Sequence, residues 1–176
     1  MAIDRQKTET VHWHAVFTAS RAEKKVRDRL EELGVECFLP VQTVLRQWTY
    51  RKSRVVVPVI AGLVFVRVGR QEQVKVLQTK GVVAFLRLKG EAGAAVIPDK
   101  QMGDFRFLLD FSEEAVEMTN ENIKAGDLVR VVKGSLRGME GELIRHKGVT
   151  KVLVRIDMLG CAMVNIPASF VEKLNK

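Results

Sequence analysis

The sequence predicts an α+β fold in two parts, and two observations predict it. Residues 1–111 alternate strand and helix signals, whereas residues 123–176 hold only short strand-like runs separated by glycine or polar turns. The charge divides the same way. Residues 1–111 carry 19 basic against 12 acidic side chains, residues 123–176 carry ten against five, and the stretch between them, SEEAVEMTNEN (112–122), has four acids and no base. That stretch is polar with few apolar anchors, so it reads as an acidic linker between a domain at 1–111 and a domain at 123–176. The first block is expected to pack helices on a mainly antiparallel sheet, and the second to close into a small β-barrel.

In the first block, HWHAVFT (12–18) reads as a strand. SRAEKKVRDRLEELG follows, with Ser20 and Glu23 at capping-box spacing. Ala22, Val26, Leu30 and Leu33 fall on one helical face, and Gly34 can stop the helix. VECFLPV (35–41) is strand-like. GLVFVRV (62–68) is an almost unbroken apolar run, which predicts a central strand buried on both faces. QEQVKVLQTKG (71–81) predicts a short helix and VVAFLRL (82–88) another strand. Pro98 and Asp99 open a last helix that runs to about Phe111.

The second block contains LVRVV, MEGELIR, KVLVRID and AMVNI, each with apolar spacing near two. Gly134, Gly138 and Gly141 interrupt the first two runs. Small barrels need sharp bends and turns at positive φ, which glycine permits. Gly134 and Gly138 are expected to bracket a loop carrying Lys133 and Arg137, and Gly141 to let the next strand begin tightly.

Composition narrows the functional classes. The 176 residues carry 29 basic and 21 acidic side chains, a net charge of +8 that favours an anionic partner. No apolar run approaches the length of a membrane span. The beginning, MAIDRQKTETVHW, has no signal-peptide apolar region, so the cytoplasm is the expected compartment. Cys37 and Cys161 lie far apart and imply no disulfide framework. His12, His14 and His146 show no metal-ligand spacing, and no phosphate loop, nucleophile elbow or paired-carboxylate signature appears. The expectation is a monomeric binding protein without catalytic residues, metal or cofactor.

Two segments offer cations for a nucleic-acid partner. The helix over 20–33 carries Arg21, Lys24, Lys25, Arg27 and Arg29. These supply phosphate attraction, or else a solvated face paired with Glu23, Glu31 and Glu32. RQWTYRKSR (46–54) holds four basic residues and no acid, with Trp48 and Tyr50 interleaved. It reads either as a surface for stacking and phosphate contact through Trp48, Arg51 and Lys52, or as a β-hairpin with one wet face and aromatic cross-strand pairs.

Several motifs resemble one family. GDLVRVVKG (126–134) followed by GMEGELI (138–144) looks like the KOW motif, which occurs in ribosomal proteins and transcription elongation factors. Trp13-His-Ala-Val-Phe17 before a basic helix, Val59-Ile-Ala-Gly62-Leu-Val-Phe65-Val, Lys80-Gly-Val-Val-Ala-Phe85 and Val96-Ile-Pro98-Asp99 resemble, in order, segments of the NusG N-terminal domain. The similarity covers roughly 12–176. Departures stand at Ile60 and Ala61, where the family usually has phenylalanine and proline, and at Leu63, where it has tyrosine. The stretch Lys52-Ser-Arg-Val-Val-Val-Pro58 and the run Ile97-Pro-Asp-Lys-Gln-Met102 look more like specialised UpxY-type or RfaH-like antiterminators than the housekeeping NusG.

The resemblance implies a transcription elongation or antitermination factor. Its N-terminal domain would sit on the clamp of the largest RNA polymerase subunit through Phe17, Ile60, Leu63, Phe65 and Phe85. Ile60 and Leu63, at a strand entrance, are the residues expected to be exposed. The basic helix would meet the non-template DNA strand, with Arg21, Lys24, Lys25 and Arg29 as its contacts. The KOW domain would bind the termination factor Rho or a small-subunit ribosomal protein through Leu159. The alternative is a KOW-type RNA-binding or ribosome-associated protein that acts apart from polymerase.

Overall fold

The computed structural model describes residues 10–174. In chain order the elements are β1 (His12–Thr18), α1 (Glu23–Glu32), β2 (Glu36–Phe38), β3 (Val41–Trp48), β4 (Arg51–Pro58), β5 (Leu63–Val68), α2 (Glu72–Gln78) and β6 (Val82–Phe85). They continue with α3 (Asp99–Phe111), β7 (Glu117–Thr119), β8 (Asp127–Val131), β9 (Glu140–His146), β10 (Val149–Ile156) and β11 (Gly160–Asn165). A 3-10 turn (Ala168–Phe170) and β12 (Val171–Lys173) are the last elements among the described residues. The fold is α+β with antiparallel sheets. It divides into two compact units: one runs through Leu39 and resumes at Gly62–Val96, the other takes Pro40–Ala61 and Ile97 onward.

The first unit is built on a four-stranded sheet ordered β2-β5-β1-β6. The apolar run at β5 is interior, and Leu63 to Val66 are all buried. Helix α1 buries Val26 and Leu30. It ends in a Schellman motif: Gly34, at φ +75°, donates to Glu31 O at 2.9 Å, and Val35 donates to Leu30 O at 2.9 Å. Its start differs from the capping-box expectation. The helix begins at Glu23, Arg21 takes a left-handed φ of 58°, and the Glu23 carboxylate accepts the Gly62 N–H at 2.7 Å. A buried acid satisfied by a distant amide has thus displaced the local cap.

The second unit holds three pieces. The strands β3 and β4 form a separate two-stranded sheet, and a six-stranded antiparallel sheet is ordered β12-β8-β9-β10-β11-β7. Helix α3 lies against β10 and buries Met102, Phe105 and Leu108. Its Gln101 Oε1 accepts the Asp157 N–H at 2.8 Å. Ile144, Leu153, Cys161 and Met163 form a core cluster of the large sheet, with Ile123 packed on it.

The glycines fit the turn reading in two ways. Gly134 and Gly138 take φ of 80° and 93° in the loop before β9. Gly141 has no positive φ; a Cβ there would press on the Leu153 carbonyl and the Val152 side chain. Its role is close strand packing.

The acidic stretch does more than connect. Glu117–Thr119 pairs with β11 as an edge strand. Lys151, only 4% exposed, needs a counter-charge, and Glu117 supplies it at 2.7 Å. Glu114 accepts from Asn165 at 2.8 Å. Buried Val116 exchanges two hydrogen bonds with the Gln42 side chain, at 2.9 and 3.2 Å.

Candidate functional site

The most exposed basic feature is the β3–β4 hairpin. Its register runs from Val41↔Pro58 to Trp48↔Arg51, closed by a turn at Thr49 and Tyr50. Side chains alternate across a strand, so this register assigns each residue a face. Arg46, Trp48, Arg51 and Ser53 share one face; Leu45, Gln47, Lys52 and Arg54 share the other. The base is held by Gln42 and by the Val59 N–H bond to Pro40 O at 2.8 Å. Toward the tip the side chains stand in solvent, with Leu45 63%, Trp48 58% and Tyr50 97% exposed. The one-wet-face reading is therefore corrected: both faces of the distal half are wet. The aromatic pair is absent too, since Trp48 faces Arg51 and Tyr50 occupies the turn.

Arg21, in the turn before α1, and Lys24 and Lys25 on it are exposed. Arg27 pairs with its neighbour Asp28 at 2.6 Å. Arg29 is committed elsewhere: its Nη1 donates to Lys80 O at 2.6 Å, tying the helix to the turn before β6. Of the glutamates expected to pair with this face, Glu23 is buried and turned to Gly62.

The apolar set does not gather on the surface. Phe17 is 42% exposed between buried Val16 and Thr18. Ile60 is half-buried. Leu63, expected at the surface, is 2% exposed, opposite Phe17 at the start of β5. Phe65 packs near Phe38, ring centroids 6.2 Å apart, and Phe85 meets the His14 ring edge-on at 5.7 Å. Both are core residues. Leu159 is half-buried in the β10–β11 turn, next to Met158, whose φ is 68°.

Sequence reasoning counted the four cations and Tyr50 of the hairpin but named only Trp48, Arg51 and Lys52 as contacts, although alternation by two places Arg46 and Arg54 as well. It also gave no weight to Val74 and Leu77, 58% and 43% exposed one helical turn apart on α2, or to Val83, 64% exposed on β6.

Among the described residues, no group of three His, Cys, Asp or Glu side chains gathers to hold a metal. Buried His14 uses Nδ1 on the Ala95 carbonyl at 2.8 Å, and burial lowers its pKa. Burial raises the Cys37 thiol to about 11, which leaves it protonated at neutral pH. Among the described residues, no helix is long and apolar enough to cross a membrane.

A family model described as transcription termination factor nusG matches residues 11–106, which spans β1 through most of α3. The chain belongs to the NusG family. Its members are transcription factors, and the α+β arrangement agrees with that assignment. No curated protein matches the chain. Among solved structures, Thermotoga maritima NusG, described under domain interaction, aligns with a TM-score of 0.50 at 22% identity, covering 94% of this chain and 98% of that one. That likeness supports the NusG fold. The MjSpt4:Spt5 complex aligns at 16% identity in its conformations B and A, with TM-scores of 0.31 and 0.29; each alignment covers 93% of this chain, with 97% and 99% of the other.

Proposed function

We propose that this chain is a specialised NusG paralogue that binds the clamp of RNA polymerase, suppresses pausing or termination, and recruits a further factor through its C-terminal sheet. A factor that binds the closed clamp better than the open one shifts the enzyme toward the closed, processive state. The observation that carries the reading is Phe17, a large apolar side chain left 42% exposed between the buried run Trp13–Val16 and buried Thr18, in the segment the family model covers. An exposed aromatic of this kind is a natural anchor for a protein partner. Arg21, just before α1, and Lys24 and Lys25 on it then provide cations for the non-template DNA strand, and the stretches Lys52–Pro58 and Ile97–Met102 favour a specialised paralogue over the housekeeping factor.

The strands from Asp127 onward are read as a KOW domain, whose sheet takes Glu117–Thr119 of the acidic stretch as an edge strand. Leu159 at the β10–β11 turn is its contact for Rho or a small-subunit ribosomal protein.

The test is binding of the purified chain to core RNA polymerase without nucleic acid, wild type beside Phe17→Asp, with folding checked by circular dichroism. Loss of binding in the folded variant is the expected result. Equal binding by both proteins would remove Phe17 from the interface, and absence of wild-type binding would sink direct docking on polymerase.

A further inference from the structure

The β3–β4 hairpin has a feature that phosphate attraction alone does not require: its cations are split between its two faces. Arg46 and Arg51 lie on one face, Lys52 and Arg54 on the other. All four are exposed, and none makes an ion pair among the described residues. No acidic residue occurs anywhere between Glu36 and Glu72. The apolar side chains are split as well, Leu45 on one face and Trp48 on the other.

A platform for single strands stacks bases and tracks one backbone, so it needs its aromatic and cationic side chains on one side. A ribbon charged on both sides fits a partner that surrounds it with negative charge. The two phosphate walls of a duplex groove do that. Dimensions choose the groove. One sheet layer with its side chains is about 10 Å thick. The major groove of B-form DNA is about 12 Å wide and admits a two-stranded ribbon, whereas the minor groove is about 6 Å wide. The major groove of an RNA duplex is too deep and narrow to be read. Eight residues per strand at about 3.3 Å each give a ribbon about 26 Å long, long enough for its tip to enter while the base stays fixed to Val116.

We infer that the hairpin is a tip-first major-groove probe for double-stranded B-form DNA. Arg46 and Arg51 meet the phosphates of one wall, Lys52 and Arg54 those of the other, and Tyr50 reaches the base edges. This rests on reading the basic segment as a nucleic-acid surface. It is independent of whether Phe17 docks on polymerase.

The experiment measures affinity of the full chain for a labelled 25-base-pair mixed-sequence DNA duplex, for one of its strands, and for the matching RNA duplex, across a salt series. Wild type is compared with Arg46→Ser/Arg51→Ser, with Lys52→Ser/Arg54→Ser and, as the second basic surface, with Arg21→Ser/Lys25→Ser around the start of α1. The changed residues are exposed, and far-UV circular dichroism with thermal midpoints checks that each variant is folded. The expected result is preference for duplex DNA, with each hairpin pair lowering the slope of log K against log salt by about 1.8, since each phosphate contact contributes about 0.9. Loss from one face only would overturn the groove geometry. Preference for the single strand or for RNA, with both hairpin pairs still required, would overturn duplex recognition while keeping the nucleic-acid reading. Binding that depends on α1 alone, or hairpin variants that weaken only nucleic-acid-free polymerase binding, would overturn both.

Discussion

Arg155 and Glu142 meet two-to-two, Nε on Oε1 at 2.6 Å and Nη2 on Oε2 at 2.9 Å. They are diagonal neighbours on β10 and β9, since Leu153 stands opposite Glu142. The pair also fixes the approach to β8: Glu142 accepts the Gly126 N–H at 3.0 Å, and Arg155 donates to Ile123 O at 3.0 Å. Arg155→Met should therefore cost about 1–2 kcal/mol, the lower part of the range for charge-assisted hydrogen bonds because the side chain is 37% exposed and screened. Urea unfolding would measure it.

The same pair sets an acid limb of stability. The hydrogen bond from Arg155 lowers the pKa of Glu142 below its usual 4.5. The unfolded chain thus binds the proton more readily, so the contribution is present above 4.5 and lost as pH falls through the lowered folded value. Glu142→Gln should flatten that part of the stability curve.

His14 gives a second window with the same sign and a different cause. Burial lowers its pKa from 6.5, and the neutral ring donates Nδ1–H to Ala95 O. The nearby groups are His12, whose charge lowers the value further, Gln73 Nε2 at 3.5 Å from His14 Nε2, and the Phe85 ring. Unfolding releases the ring to take up a proton, so stability should decline as pH drops below 6.5. Thermal midpoints between pH 7.5 and 5.5 should fall in wild type and change less in His14→Phe.

Leu63→Asp and Phe17→Asp should behave oppositely toward folding, although both residues came from one motif-based expectation. A carboxylate at Leu63, 2% exposed, has no partner and should cost more than about 3 kcal/mol, enough to unfold a marginal chain. At Phe17 the charge reaches water, and the fold should survive. Circular dichroism of the two variants would separate them.

Gly141→Ala should cost about 1–3 kcal/mol, because the added methyl meets the Leu153 carbonyl at 2.8 Å. Gly93→Ala has open space and no positive φ, so it should be neutral or stabilise by up to about 1 kcal/mol. Chemical denaturation of the pair checks both.

Much of the fold was legible in local pattern. β1 and α3 begin and end where their residues predict, and the apolar run at 62–68 is an interior strand. What was illegible depends on partners distant in sequence. Glu23 left its capping box for an amide 39 positions away, and Arg29 left the basic face for a carbonyl 51 positions away. The strand inside the acidic stretch answers a buried lysine at 151. Leu63 looked exposed because a motif says nothing of what packs on it. The hairpin was the reverse case, because alternation by two already places cations on both sides of it.

The large sheet ends on β7 and β12, each three residues long and each bearing a glutamate, Glu117 and Glu172. An open strand edge is a template on which another chain can add its own backbone. Edges this short offer a newcomer little ladder. The stretch that looked like a connector thus also works as a fender. At high concentration the sheet should resist stacking edge to edge into larger assemblies.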